Sequence, residues 1–237
     1  MNDNEHLETK EELLLQTARR LAAELQPDGF ITEARERTLA LYSNNKEMKL
    51  EIILQVPRQR FKTTLKIFPK VQLCSRAIKK WWKQENLPNP TDVFFSVKLD
   101  EISPRTPPFK WIISGGEQEK SVTEIIHHIQ AYVIPLFNTV SNPDNAAALM
   151  SQRIWAIGRG MTQTIYTPPL DYVLYYGSTE LARQLFHQSI EQNTRWAQSV
   201  AIRYKDLDRR PDISREQMFS HGERWINLAY VCGFRPL

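Results

Sequence analysis

The fold class of this chain is decided by two neighbouring stretches, MKLEIILQV at residues 48–56 and RFKTTLKIF at residues 60–68. In the first stretch, Leu50, Ile52 and Leu54 alternate mostly with polar residues, and the second stretch alternates in the same way. Because successive side chains of a strand point to opposite faces, this period of two indicates a sheet with one face on a core. Three further segments fit the same pattern: residues 37–43, 93–99 and 109–113.

Helical patterns surround these strands. Thr9 and Glu12 have the spacing of a capping box, and apolar residues then recur at helical spacing as far as Leu25. Pro69 is expected to end the third strand, and a helix is predicted over residues 74–86. The sequence therefore predicts an α+β fold, in which an antiparallel β-meander of about five strands packs with helices.

The second half of the chain reads as helical. Ser121 with Glu124 is predicted to cap one helix, in which Pro135 should bend or end the backbone. Ser178 is predicted to cap a long helix that reaches Val200. A last capping box is expected at Ser214 and Gln217. We predict two parts of the chain: an α+β sheet domain over residues 1–150 and a helical region packed on it over residues 151–237.

Composition and charge narrow the class of protein. Hydrophobic residues make up 41% of the 237 residues and charged residues 24%, which is typical of a globular domain. The net charge of +4 permits an anionic partner without requiring one. Cys74 and Cys232 lie far apart, and no secretory signal or apolar span is evident. These features predict a cytoplasmic protein that does not insert in a membrane.

Catalytic and metal-binding motifs are weak in this sequence. His127 and His128 are adjacent, so on a helix their side chains point about 100° apart and do not converge on one substrate or metal. Neither the glycines at 115–116 nor those at 158 and 160 form a phosphate-binding loop motif. We predict no catalytic residue, no cofactor and no metal, and hence no enzyme.

The sequence favours a binding function over catalysis. The predicted strands carry cations on their non-core face, and residues 79–83 read KKWWK, which places two tryptophans among lysines. Exposed Trp is enriched at protein-binding hot spots, and basic residues interleaved with aromatics also suit nucleic acids. The predicted partner-binding residues are Lys49, Arg60, Lys62, Lys66, Trp81, Trp82 and Lys98.

The order of several short motifs resembles a group of bacterial domains of unknown function that includes immunity proteins of polymorphic toxins. The motifs are Asp28-Gly29-Phe30, the strands from Met48 to Phe68, Trp111, Ile134-Pro135-Leu136-Phe137 and the region of Tyr175, Gly177 and Ala182. The resemblance covers roughly the first 185 residues. It implies a non-enzymatic protein that neutralises a cognate toxin by direct binding. The alternative is a nucleic-acid-binding module that uses the basic sheet face and the Trp81-Trp82 helix.

Overall fold

The computed structural model describes residues 9–33, 37–56, 64–102, 111–114, 116–152 and 167–236. Within these ranges six strands form one sheet in the order β1-β2-β3-β4-β5, and β6 also pairs with β4. The strands are β1 (Ile31–Thr32), β2 (Thr38–Tyr42), β3 (Met48–Gln55), β4 (Lys66–Ser75), β5 (Val93–Lys98) and β6 (Trp111–Ile112). The predicted α+β fold with a helical C-terminal region is confirmed.

The described helices follow in chain order. They are α1 (Lys10–Leu25), α2 (Arg76–Gln84), α3 (Leu99–Ile102), α4 (Gln118–His128), α5 (Ile134–Val140), α6 (Pro143–Gln152), α7 (Leu170–Tyr176), α8 (Thr179–Gln192), α9 (Thr194–Asp208), α10 (Arg215–Phe219) and α11 (Arg224–Val231). A 3-10 turn (Gln26–Asp28) follows α1, and a π-helical turn (Ile129–Val133) joins α4 to α5. None of the helices in the described ranges has the length and apolarity needed to cross a membrane.

The chain divides into two compact units that are each discontinuous in sequence. The sheet unit contains residues 1–73 and 96–135, and the helical unit contains residues 74–95 and 136–237. This division differs from the predicted one at residue 150, because α2 packs on α7 and so groups with the C-terminal helices. Sequence order alone could not reveal this grouping.

The sheet unit has its core on the face that the alternating residues predict. β2 and β3 pair in antiparallel register, with Leu39 opposite Ile52 and Leu41 opposite Leu50. Leu50 and Ile52 are fully buried. Helix α1 packs against α4 and begins at the predicted capping box, since Thr9 Oγ1 accepts the amide of Glu12 while the Glu12 carboxylate accepts from the Thr9 amide.

Pro69 lies inside β4 and does not end it, so the predicted strand end is wrong. On one side of Pro69, Ile67 pairs with Trp111 of β6, and on the other side the Gln72 side chain donates to Ser96 of β5. Pro69 therefore sits where the neighbour of β4 changes. Proline is tolerated in a strand at a position where its missing N–H is not needed.

The predicted cap of α4 is wrong, and of the two outcomes predicted at Pro135, a bend or an end of the helix, the end does not occur. Ser121 does not cap a helix, because α4 already begins at Gln118 and Ser121 Oγ donates to the Ile112 carbonyl at 2.7 Å. Pro135 does not end the helical path. The backbone widens into the π-helical turn just before it, and α5 then continues from Ile134. Such a turn accommodates the residue that cannot donate to the preceding ladder.

The helical unit contains a break where one long helix was predicted. Ser178 caps α8 as expected, since its hydroxyl accepts from the Leu181 amide. The chain then becomes extended at Asn193, whose side chain accepts the amides of Arg195 and Trp196 and so starts α9. The predicted capping box at Ser214 and Gln217 is confirmed at the start of α10.

Gly177 is expected to tolerate no side chain. A Cβ at this position would lie 2.8 Å from the Val173 carbonyl oxygen and 3.0 Å from Ala147 Cβ, and the carbonyl belongs to the backbone of α7. Because this contact cannot relax by a side-chain rotation, we expect Gly177→Ala to cost about 1–3 kcal/mol of unfolding free energy. Urea unfolding measures the effect, and a change within about 0.5 kcal/mol would contradict the close approach.

Candidate partner-binding surface

Helix α2 separates the two adjacent tryptophans of the chain. It starts at Ser75, whose hydroxyl accepts the Ile78 amide at 3.2 Å. Neighbouring residues of a helix point about 100° apart, so Trp81 and Trp82 cannot share one face. Trp82 is fully buried with Ile78, whereas Trp81 is only half-buried. We therefore assign Trp82 to the core and retain Trp81 alone as a surface residue.

Trp82 fixes α2 to the rest of the helical unit. The guanidinium of Arg224 lies 3.8 Å from the ring centroid of Trp82, and the Phe219 ring packs edge-on at 5.5 Å. Arg224 also donates to Asp171 Oδ2 at 2.8 Å and so links α11 to α7. Burial raises the pKa of Asp171, and the charge of Arg224 opposes that shift. The tryptophan, the arginine and the aspartate form a structural cluster.

Trp81 meets a tyrosine of α7 at the surface of the helical unit. The ring centroids of Trp81 and Tyr175 lie 6.1 Å apart with an interplanar angle of 49°. Tyr175 is 39% exposed, and Trp81 is half-buried. We call these two residues the aromatic pair. Tyr175 was absent from the predicted partner-binding residues, because only the packing of α7 on α2 brings it to Trp81.

Helix α2 also carries cations and contains no acidic residue. Lys79, Lys80 and Lys83 make no ion pair with any residue that the structure describes, and the last two are exposed. We call these three residues the α2 lysines. Uncompensated surface cations are suited to an anionic partner.

The sheet offers less positive charge than its sequence suggests. Lys49 Nζ lies 2.6 Å from Glu51 Oε1 and 3.9 Å from Glu33 Oε1, so two carboxylates compensate its charge. Tyr42 donates to the same Glu33 oxygen at 2.6 Å. The Lys49 side chain is only 22% exposed. This part of the non-core face is a charge-paired cluster.

The other predicted cations of the sheet differ in burial and position. Lys66 is half-buried on β4, opposite Ile112 of β6, and Lys98 is exposed at the end of β5. Arg60 and Lys62 lie outside the described residues. The structure thus brings Lys66 and Lys98 into one sheet, but it does not place either of them on α2.

The positive net charge is distributed unevenly between the sheet unit and the helical unit. The sheet unit has 16 Lys and Arg against 16 Asp and Glu, whereas the helical unit has 15 against 11. The entire net charge of +4 therefore belongs to the helical unit. The positive excess therefore lies in the unit that contains α2.

The adjacent histidines lie in different environments. His128 is buried, with its ring stacked on Tyr132 at 5.9 Å and edge-on to Trp111 at 6.0 Å. His127 is exposed on the other side of the helix. Within the described part of the chain, no three His, Cys, Asp or Glu residues are placed to hold a metal ion. Burial raises the pKa of the Cys232 thiol, which disfavours the reactive thiolate.

Asp100 is a buried carboxylate in the sheet unit. It is 6% exposed, and its Oδ1 atom has no hydrogen-bond partner among the described residues. Burial raises the pKa of Asp100, while the charge of Lys98 and nearby backbone amides oppose the shift. A carboxyl with a raised pKa in the folded state binds its proton more tightly there than in the unfolded chain. The unfolding free energy therefore falls as pH rises from the unfolded pKa of about 3.9 through the folded pKa.

We expect Asp100→Asn to remove this fall. Relative to the unsubstituted protein, the variant should gain unfolding free energy between about pH 4 and about pH 7, since the amide is never charged. Urea unfolding at the two pH values measures the gain, with Asp212→Asn at an exposed carboxylate as the control. A difference between Asp100→Asn and the unsubstituted protein that stays constant across this range would contradict the raised pKa.

Comparison of the chain with protein families, with curated proteins and with solved structures gives no match. The geometry of the described residues is therefore the basis for the function proposed below.

Proposed function

We propose that this protein is a non-enzymatic protein-binding module whose partner is an acidic protein. The observation that carries the proposal is the set of α2 lysines, which lack acidic partners among the described residues and lie on a helix that contains no acidic residue. Uncompensated surface cations raise the rate at which an acidic partner is encountered. The proposal thus rests on charge and exposure rather than on a reactive group.

The most concrete form of this function is bacterial immunity, in which the protein neutralises a cognate toxin in the cytoplasm by direct binding. The support for this form is the resemblance of the Asp28-Gly29-Phe30 entry, the strands and the Ile134-Pro135-Leu136-Phe137 segment to domains that include immunity proteins. Immunity requires tight binding of one protein surface and no turnover. An acidic toxin surface would complement the α2 lysines.

Nucleic-acid binding is the second candidate. It is favoured by the presence of three lysines and a half-buried tryptophan on one helix, since bases stack on aromatic side chains while cations hold phosphates. Such binding weakens steeply as salt rises, because each neutralised phosphate releases counterions. Fluorescence anisotropy with labelled single-stranded DNA and RNA at low salt separates the candidates. Affinity for these probes that exceeds affinity for the protein partner would favour the second one.

The direct test is to find the partner. The gene immediately upstream is expected to encode a large secreted toxin, and its toxic domain should form a stoichiometric complex with this protein. Co-expression, size-exclusion chromatography with light scattering and calorimetry measure the complex and its stoichiometry. A housekeeping gene upstream, together with no stoichiometric partner in a cross-linked pull-down from the native host, would overturn the immunity proposal.

A further inference from the structure

We infer that single-stranded nucleic acid binds on the non-core face of β4, where Phe68 lies between Lys66 and Lys70. We call these three residues the β4 strip. The inference goes beyond the protein partner proposed for α2, because it assigns a ligand to a different surface. It rests on the second candidate function and gives that function a site in the sheet unit.

The aromatic ring and the two cations of the β4 strip share one face of the sheet. Residues at i and i+2 of a strand point to the same side, and burial along β4 alternates accordingly. Lys66, Phe68 and Lys70 are half-buried, whereas Ile67 and Val71 are fully buried in the core. At a rise of about 3.3 Å per residue, the two lysines lie about 13 Å apart along the strand, with the ring midway between them.

The cations of the β4 strip are available to a ligand. Lys66 and Lys70 make no ion pair with any residue that the structure describes. The Gln72 side chain donates to Ser96 at 3.3 Å, so the exposed residues of β5 lie on the same side of the sheet as the strip. Lys98, two residues after Ser96, is exposed there and adds a third cation.

The acidic residues of this face leave it positively charged. Within the described strands, Glu51 is the one acidic residue on the non-core face, and it pairs with Lys49 at 2.6 Å. Glu33 also approaches Lys49, at 3.9 Å. Both carboxylates are thus engaged with Lys49, and the three lysines of β4 and β5 provide the excess positive charge.

The position of the lysines favours a nucleic acid over an acidic protein. A protein that covered Phe68 would place a lysine on each side of the ring in the centre of the interface, and the centres of protein interfaces are depleted in Lys. Interfaces with nucleic acids are instead much more positively charged than interfaces between proteins. An aromatic ring between cations on an open sheet face matches bases that stack while their phosphates meet the lysines.

The same contacts favour a single strand over a duplex. Phe68 can stack only on a base whose face is free, and the bases of a duplex are already stacked on one another. Phosphates and base faces are common to DNA and RNA, so we expect the β4 strip to bind both without discrimination.

Fluorescence anisotropy tests the assignment with defined probes. The probes are labelled twenty-nucleotide oligo-dT and oligo-rU, a DNA duplex of the same length and poly-Glu. Phe68→Leu keeps an apolar side chain and removes the ring, whereas Lys66→Gln with Lys70→Gln removes the charges. Lys79→Gln with Lys83→Gln is the matched control, because it removes two cations from α2. Circular dichroism and thermal melting establish that each variant is folded.

We expect the unsubstituted protein to bind the two single strands alike, and about tenfold more tightly than the duplex or poly-Glu at low salt. Phe68→Leu should weaken single-strand binding about tenfold through loss of base stacking. The double substitution on β4 should lower the slope of log affinity against log salt by about 1.4, since two phosphate contacts are lost. The α2 control should keep the affinity and the slope.

Two results would overturn the site on β4. One is unchanged single-strand binding by both β4 variants, and the other is binding of poly-Glu as tight as that of the single strands, which would identify an acidic protein segment as the occupant. If Phe68→Leu is unfolded, photo-cross-linking of oligo-rU that carries 4-thiouridine to the unsubstituted protein replaces it. A cross-linked peptide from β4 is then expected, and cross-links confined to α2 would overturn the site.

Failure of the site is distinguishable from failure of the function on which it rests. Single-strand binding that survives both β4 variants would remove the site and leave the second candidate function standing. Absence of any single-strand binding would remove both. Neither result affects the protein partner proposed for α2, which is tested with that partner.

Discussion

Replacement of Trp82 by alanine is expected to lower the free energy of unfolding by about 3–5 kcal/mol. The indole is fully buried, and alanine would leave a cavity between α2, Arg224 and Phe219. The loss includes the stacking of the Arg224 guanidinium, which is held at Asp171 by a 2.8 Å hydrogen bond. Arg224 would then lose its aromatic contact while its charge stays partly buried.

The neighbouring tryptophan provides a matched control for this prediction. Trp81→Ala removes the same side chain from the same helix, but Trp81 is only half-buried. We expect it to cost less than about half as much, because less ring surface returns to water. Urea unfolding followed by circular dichroism measures both variants. Equal losses at the two positions would contradict the division of α2 into a core tryptophan and a surface tryptophan.

The second large effect concerns the rate of partner association. The triple variant Lys79→Glu, Lys80→Glu and Lys83→Glu is expected to bind the native partner about a hundredfold more slowly at low ionic strength. Reversing the α2 lysines replaces attraction of an acidic surface with repulsion. The difference should shrink as salt is added, since salt screens exposed charges. Stopped-flow fluorescence or surface plasmon resonance measures the association rate constants.

A triple reversal on the sheet is the matched control for charge. Lys66→Glu, Lys70→Glu and Lys98→Glu make the same change in net charge on β4 and β5. If the binding surface is on α2, this variant should associate at a rate much closer to that of the unsubstituted protein. If the sheet variant instead lowers the association rate more than the α2 variant does, the binding surface is on the sheet.

The sequence predicts the fold class because its signals are local. Alternation at Leu50, Ile52 and Leu54 needs only the strand period, and the cap at Thr9 and Glu12 needs only four residues. The sequence wrongly predicts that Pro69 ends its strand. Whether β4 can continue through Pro69 depends on its pairing with β6 before the proline and its contact with β5 after it. Tolerance of that proline is a property of the whole sheet, which local patterns cannot reveal.

The candidate site was only partly predictable for the same reason. The KKWWK segment predicts that α2 takes part in binding. Which of Trp81 and Trp82 is buried depends on which of them faces Arg224, and Arg224 is more than a hundred residues away in the sequence. Tyr175 joins the site only through the packing of α7 on α2. The charge of Lys49 is compensated by Glu51, which is two residues away on the same strand, and by the more distant Glu33, whose contribution depends on the fold.

Hydroxyl-radical footprinting of the complex with the native partner shows directly whether the partner binds at α2. Side chains covered by the partner lose reactivity, and mass spectrometry reads the change at single residues. If the partner binds at α2 and α7, Trp81 and Tyr175 are protected in the complex while Trp196 on α9 keeps its reactivity. Unchanged oxidation of Trp81 and Tyr175, with new protection of Phe68 on β4, would place the partner on the sheet instead.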